Sequence, residues 1–276
     1  ATNTGSIMIG QVQLSDISNP YTAKLRVLEN KGRLIEAANQ VDPVLVSFGG
    51  GCMDVEAYVR DSSRETYLSV HLIVDVKDAM GAQALNAMCE AVAPMLEEIT
   101  GGKANLKVLS NLAVHRLVRS HVTIAKEDVG GEANVDKIVS AWRFACCDQF
   151  RAATHNKGIM NGIIPVVVAT GNDTRAVESG VHSYACYHGN YRPVTTWEKN
   201  TSGDLEGMIE IPLAVGIVGG TTKLHPIAKL SLKLMDVHSA PELAEVIASV
   251  GLAANLGVLH SLVTAGLHGD FDAARK

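Results

Sequence analysis

The chain has 276 residues and a formal net charge of −5; 47% of its residues are hydrophobic, 19% charged and only 4% aromatic. This length and apolar content provide for one large or two smaller domains with a sizeable core, and they exclude global disorder. Charges of both signs are scattered, so no basic run or aromatic surface points to nucleic acid, and no charge block marks a tail.

Ile7 to Leu14 is rich in β-formers and predicts a strand. Tyr21 to Gln40 predicts one helix, with Leu25, Leu28, Leu34, Ile35 and Ala38 near a 3.6-residue period. After the Gly49-Gly50-Gly51 turn, Val55, Ala57 and Val59 alternate with polar residues, as in a half-buried strand. Asp61 to Arg64 is a turn, and Tyr67 to Val76 predicts the next strand. Met80 to Ile99 predicts a helix with Leu85, Met88, Val92, Met95 and Leu96 along one stripe, stopped by Gly101-Gly102. Ala104, Leu106 and Val108 alternate as a closing strand. The order β-α-β-β-α-β is that of the ferredoxin-like split motif, so residues 1–110 are expected to form a ferredoxin-like small domain.

Beyond Asn111 the texture changes, and residues 111–276 are expected to form a mainly helical α/β large domain, giving an α+β chain as a whole. Val122-Thr123-Ile124 predicts a short strand, Asn134 to Phe150 a helix and Glu206 to Leu213 a weakly alternating strand. His225 to Met235 and Pro241 to Ala265 predict two further helices. Val246 to Leu267 carries no formal charge and is long enough to span a bilayer. Ser249, Asn255, His260, Ser261 and Thr264 interrupt it, with Glu242 and Glu245 just before. It is read as a buried or interface helix, with no membrane partner. The N-terminus has no basic and apolar regions of the signal-peptide kind. The five cysteines, Cys52, Cys89, Cys146, Cys147 and Cys186, are odd in number with two adjacent, which fits no disulfide framework and favours a reducing cytoplasm. Cys146 and Cys147 are expected to pack in a helix face.

The densest polar pattern runs from Arg151 through His155, Lys157 and Asn161 to Gly162. An apolar run, Ile163 to Val168, separates it from Ala169-Thr170-Gly171-Asn172-Asp173. Apolar flanks desolvate a lysine, and a nearby carboxylate restores its charge. Such a pair makes a fixed positive donor for a developing oxyanion. A surface lysine beside a helix cap fits the same residues. Asn161 falls on the face of Lys157 if the segment is helical. No G-x-G-x-x-G occurs, so a nicotinamide site here cannot rest on a Rossmann domain. The ten histidines show no metal-ligand spacing, so no metal is expected. No serine or cysteine sits in a nucleophile elbow.

Further stretches accompany these two: Thr4-Gly5-Ser6-Ile7-Met8-Ile9-Gly10-Gln11, Asp42-Pro43, Gly49-Gly50-Gly51-Cys52 and Asp78-Ala79-Met80-Gly81-Ala82. Ser110-Asn111-Leu112-Ala113, Thr195-Thr196-Trp197-Glu198-Lys199 and Val218-Gly219-Gly220-Thr221 continue the series. In this order, over nearly the whole chain, they resemble the class II 3-hydroxy-3-methylglutaryl-coenzyme A reductases. The resemblance implies NAD(P)H-dependent interconversion of the 3-hydroxy-3-methylglutaryl thioester of coenzyme A with mevalonate. It implies that Lys157 is the electrophile and Asp173 its charge partner, titrating as a coupled pair. Arg151 would pair bidentately with the substrate's free carboxylate, and Asn161 would orient the ammonium. The cofactor would lie on the small domain, against Asp78, Met80 and Gly81, where helix-start N–H groups attract pyrophosphate, with Asn111 nearby. On the residues alone, an ordinary strand-to-helix turn capped by Asp78 is the favoured reading of that segment. Asp42, placed after a helix and before an apolar strand, would accept from a ribose diol and repel a 2′-phosphate, implying NADH over NADPH; a simple turn aspartate before Pro43 fits as well. The small-molecule thioester would bind across the interface of a homodimer.

The chain departs from the family at three points. Gln83 stands where asparagine is common. The family's catalytic glutamate falls ahead of Ala1, and Phe271 stands in the register of its catalytic histidine, with His268 nearby. Since thiolate departure needs a proton, weak turnover is expected of this sequence. Two other readings stay open: a dimeric module that binds nucleotide or coenzyme A without turnover, and a purely structural or regulatory protein. Stoichiometric NADH binding separates the structural protein from the reductase and the module, and turnover separates the reductase from the module.

Overall fold

The structure, a computed structural model, describes residues 1–220 and 224–264. Thr221, Leu267, His268 and Phe271 lie outside the described residues. Two packing units are present: Thr4–Arg116, and Ala1–Asn3 together with the chain from Leu117 onward.

In the Thr4–Arg116 unit the elements are β2 (Ile7–Ser15), α1 (Pro20–Glu29), α2 (Lys31–Asn39), α3 (Pro43–Ser47), β3 (Gly51–Asp61), β4 (Thr66–Asp75), α4 (Ala82–Thr100) and β5 (Lys103–Ser110). Its sheet is antiparallel throughout, in the order β3-β4-β2-β5. Alternation buries Met8, Val12 and Leu14 from β2 and Leu68, Val70 and Leu72 from β4 against Leu85, Met88, Val92 and Leu96 of α4. The single helix expected over Tyr21 to Gln40 is two helices. At Asn30 the backbone opens to φ −100°, ψ 13°, and its side-chain amide donates to Arg26 O at 2.8 Å, closing α1 before α2 begins. The apolar strand expected after Asp42 is also corrected: Pro43 to Ser47 form α3, with Val44 and Phe48 exposed.

The second unit contains β1 (Thr2–Asn3), β6 (Leu117–Ile124), α5 (Glu132–Cys147), α6 (Gln149–Ala169), α7 (Thr174–Tyr184), β7 (Thr195–Lys199), β8 (Leu205–Pro212), α8 (Pro226–Leu234) and α9 (Ala240–Val263). Its sheet, in the order β1-β6-β8-β7, is fully antiparallel, which makes this unit α+β and corrects the α/β expectation. The helix expected to Phe150 ends at Cys147, because Asp148 turns extended and caps the next helix. Cys146 and Cys147, at that end, are exposed and do not pack in a helix face. Trp197, Ile209 and Ile211 of the sheet and Ile159, Ile163, Ile247 and Leu252 of the helices are buried in one core. Among the described residues α9 is the one helix long and apolar enough to cross a membrane. Leu243, Ile247, Leu252 and Leu259 along it are buried.

Candidate active site

The residues singled out by sequence fall into two groups, one in each unit. In the second unit, α6 carries most of them. Asp148 opens this helix by accepting from Arg151 N at 2.7 Å, a cap worth about 1 kcal/mol. The face with Ala152, His155, Asn156, Ile159, Ile163 and Val167 is buried. Phe150, Thr154, Lys157, Asn161, Pro165 and Val168, spaced by three and four residues, form an exposed stripe on the other side. Lys157 and Asn161 thus share a face one turn apart. Pro165 has no N–H to give the carbonyl of Asn161, so the helical ladder is interrupted beside that residue. Arg151 lies about a third of a turn around the helix from Lys157. It is half-buried, and burial lowers the pKa of its guanidinium.

Two expectations about Lys157 are corrected. Its side chain is exposed rather than desolvated, and no ion pair joins it to Asp173 among the described residues. Asp173 caps α7, accepting from Arg175 N at 2.9 Å and Ala176 N at 3.2 Å, with Arg175 Nε at 4.0 Å. The cause is the length of α6. At 1.5 Å per residue, Lys157 and the helix end at Ala169 are roughly 18 Å apart, beyond what two side chains bridge. Asn172 pins the turn after α6, donating to Gly216 O at 3.1 Å and accepting from Gly216 N at 2.8 Å.

Beneath the stripe, two buried side chains fasten α6 to the segment leading into β7. Asn156 donates to Arg192 O at 2.8 Å and accepts from Val194 N at 3.1 Å. His155 Nε2 lies 2.7 Å from Thr195 Oγ1. Glycines bring α9 close: a Cβ on Gly162 would lie 2.6 Å from Ala254 Cβ, and one on Gly251 would lie 2.9 Å from Ile163 Cγ1. A pocket of about 400 Å³ opens beside β8, lined by Tyr184, His188, Arg192, Thr196 and Glu210 among others. Thr195 and Thr196 of the Thr195–Lys199 stretch line it, whereas Arg151, Lys157, Asn161 and Asp173 do not.

In the Thr4–Arg116 unit, sheet register collects residues distant in sequence. Ile7 and Gly51 both pair with Asp75, and Ile9 pairs with Ser110. The start of β3 and the ends of β4 and β5 therefore share one end of the sheet. Asp42, Asp78 to Gly81 and Asn111 all lie on segments at that end. Asp42 accepts from Leu45 N at 2.9 Å as the cap of α3. Asn39 holds the start of β3 through Cys52 N at 2.7 Å and Cys52 O at 3.1 Å. Gly81, not Asp78, caps α4, with φ 103°, and no side chain caps that helix. A Cβ on Gly81 would meet Val76 Cγ1 at 2.7 Å, so packing as well as backbone conformation requires glycine. The free N–H groups at the start of α4 and its dipole favour an anion there, which fits a cofactor phosphate.

Sequence reading missed Arg116, which holds this loop. It is 4% exposed, and its Nη1 donates to Ala79 O at 3.2 Å and Met80 O at 3.4 Å. Burial pushes its pKa down to about 10, against Asp75 and Asp78, which favour the charge. A lone arginine far from its partners in sequence carries no local signal. Asn255 was missed for the same reason; it accepts from Trp197 Nε1 at 2.8 Å within the core of the second unit.

The sequence profile of the family described as hydroxymethylglutaryl-coenzyme A reductase matches residues 1–269. The chain is 55% identical over 264 residues to the 3-hydroxy-3-methylglutaryl-coenzyme A reductase of Archaeoglobus fulgidus, an alignment covering 96% of this chain and 60% of that protein. A probable 3-hydroxy-3-methylglutaryl-coenzyme A reductase of Borreliella burgdorferi is 40% identical over 205 residues, covering 72% and 47%. Among solved structures, the class II 3-hydroxy-3-methylglutaryl-CoA reductase of Streptococcus pneumoniae bound to NADPH in open conformations superposes with a TM-score of 0.94 at 39% identity, covering 96% of this chain and 66% of that one. Another structure of the Streptococcus pneumoniae enzyme gives 0.93 at 39% identity, covering 95% and 72%. The chain thus spans 60% and 47% of the length of its two curated relatives.

Proposed function

The chain belongs to the hydroxymethylglutaryl-coenzyme A reductase family, and from that premise we propose that it serves the nicotinamide-dependent reduction of the 3-hydroxy-3-methylglutaryl thioester to mevalonate and coenzyme A, or the reverse. Two hydrides and two protons convert the thioester into the alcohol and the free thiol. The Thr4–Arg116 unit is assigned as a ferredoxin-like cofactor domain; the antiparallel order β3-β4-β2-β5 supports this. The chain from Leu117 onward is assigned as the substrate-binding and catalytic domain. The end of the small sheet would hold a nicotinamide cofactor, which would supply the hydride when bound. The uncapped start of α4 takes its phosphates, between Asp78, Met80, Gly81 and Asn111. Asp42 takes the ribose, one carboxylate oxygen being its cap to α3 and the other remaining for the diol. Asp42 thereby favours NADH, although the Streptococcus pneumoniae relative binds NADPH.

The observation that carries this reading is the exposed stripe of α6, where Lys157 and Asn161 stand together in a chain that matches the family nearly end to end. Lys157 donates to the oxygen that becomes negative when the carbonyl is attacked. Asn161, one turn on, orients the ammonium, and Arg151 binds the free carboxylate. Lys157 and Asp173 form no ion pair within one chain, and the pair would be completed between two copies in a homodimer. The exposed Phe144, Phe150 and Val168 around the stripe support that assembly. The free cysteines fit a cytoplasmic location.

The test is oxidation of NADH and NADPH by the full chain with the thioester and with free mevaldehyde, for the parent and for Lys157→Ala. Lys157→Ala should lower the rate by about 10² to 10³ or more, as loss of an oxyanion donor does. Mevaldehyde reduction should exceed thioester reduction, because no thiolate must leave and Phe271 stands in the register of the family's acid. Activity untouched by Lys157→Ala would remove the lysine from this role.

A further inference from the structure

Under the exposed face of α6 lies a buried polar relay that the proposed reaction does not use. His155 is 2% exposed. Its Nε2 is 2.7 Å from Thr195 Oγ1, and that hydroxyl is 3.1 Å from Asn255 Oδ1. Trp197 Nε1 lies 2.8 Å from the same Asn255 atom. An indole N–H only donates, so that atom is the amide oxygen, which only accepts. The single hydroxyl proton of Thr195 therefore goes to Asn255, and the threonine oxygen offers only lone pairs to the imidazole. It follows that His155 carries its proton on Nε2. Nδ1 is then a bare lone pair, and it is buried without a partner. Leaving a buried acceptor unpaired costs about 1 to 3 kcal/mol, so this atom calls for a partner.

The neighbour able to use it is Arg151, one turn earlier on the same side of α6. Its charge acts on the His155 ring, and no oxygen among the described residues accepts from its guanidinium. We propose that His155 is a positioning residue: Nε2–H ties the ring to β7 and α9 through Thr195 and Asn255, and Nδ1 accepts one guanidinium N–H of Arg151, fixing the fork that meets the substrate's carboxylate. A guanidinium has five N–H donors, so one spent on His155 leaves an edge free for bidentate binding. Burial, with Arg151 adding to it, pushes the His155 pKa down to about 4, so the lone pair persists through the neutral range. This inference rests on the assignment of Arg151 to the substrate carboxylate.

The experiment is calorimetric titration of the full chain with 3-hydroxy-3-methylglutaryl-coenzyme A and with coenzyme A, which lacks that carboxylate. His155→Gln sets an amide N–H near Nε2 but nothing at Nδ1, whereas His155→Asn sets an acceptor near Nδ1 but breaks the link to Thr195. His155→Gln should weaken thioester binding about tenfold, as a lost charged hydrogen bond does, and leave coenzyme A binding unchanged. His155→Asn should keep more of the thioester affinity, and adding His155→Gln to Arg151→Ala should weaken binding no further. Parent-like thioester binding by His155→Gln, or equal loss for both ligands, overturns the proposal if Arg151→Ala binds weakly. Parent-like binding by Arg151→Ala overturns the assignment of Arg151 instead. Nitrogen NMR of histidine-labelled parent protein tests the relay without any variant: a proton on Nδ1 of His155 in place of Nε2 overturns it.

Discussion

The close crossing of α6 and α9 allows a sharp test of how the lysine-bearing helix is held. A Cβ added at Gly162 would lie 2.6 Å from Ala254 Cβ and 2.9 Å from Val250 O. Carbon atoms in contact normally stand about 3.5 to 4.0 Å apart. Neither obstacle can rotate away, since one is a methyl fixed to the backbone and the other is the backbone itself. Gly162→Ala must therefore separate the helices by roughly 1 Å and loosen Ile159, Ile163, Ile247 and Leu252. Overpacking of this kind costs about 1 to 3 kcal/mol, and the better helix propensity of alanine returns about 1 kcal/mol. A net loss of up to about 2 kcal/mol should lower the unfolding midpoint by up to about 8 °C. Gly257, on the same α9, has nothing within 4 Å of an added Cβ. Gly257→Ala should feel the propensity alone and gain about 0.5 to 1 kcal/mol. Thermal and urea unfolding of both variants beside the parent decide the matter. Equal shifts in the same direction would refute the close crossing. Lys157 and Asn161 ride on α6, so Gly162→Ala should also slow NADH oxidation while Gly257→Ala leaves it unchanged.

Acid should weaken the fold through His155, whose pKa is about 4 in the folded chain against an ordinary 6.5. The unfolded chain takes up this proton first, so stability is full above about pH 6.5 and falls by about 3 kcal/mol as pH drops to about 4. Urea midpoints across this interval should slope for the parent and flatten for His155→Gln; a flat parent curve contradicts the buried neutral ring. At Gly207 an added Cβ would run into the Trp197 ring, so Gly207→Ala should cost about 3 kcal/mol and change the near-ultraviolet circular dichroism of the buried indole. An unchanged spectrum and midpoint would count against that packing. Asp42→Asn retains a side chain able to cap α3, so it should leave stability unchanged and narrow the preference for NADH over NADPH by about 1 to 3 kcal/mol. Fluorescence titration with both cofactors reads this, and tighter NADPH binding by the parent would remove Asp42 from the role.

Local periodicity determined much of the framework. The run of β-formers from Ile7 to Leu14 marked β2, which runs Ile7–Ser15, and the stripe from Leu85 to Leu96 marked the buried face of α4. The four-residue spacing puts Lys157 and Asn161 on one face provided the segment is helical, as it is in α6. These features are legible because a residue's own neighbours decide which face is apolar. The short helix after Asp42 was less legible: its cap and proline are local signals, but Val44, Leu45 and Val46 look like a strand until their exposure is known. Tertiary structure alone decided that Lys157 faces outward and is not paired with Asp173, because that depends on which face of α6 the rest of the unit covers. It alone brought Thr2–Asn3 beside β6, Arg116 to the carbonyls of Ala79 and Met80, and Asn255 to Trp197 and Thr195. A buried polar atom is satisfied by whichever segment the chain folds back against it, and no pattern of neighbouring residues encodes which segment that is.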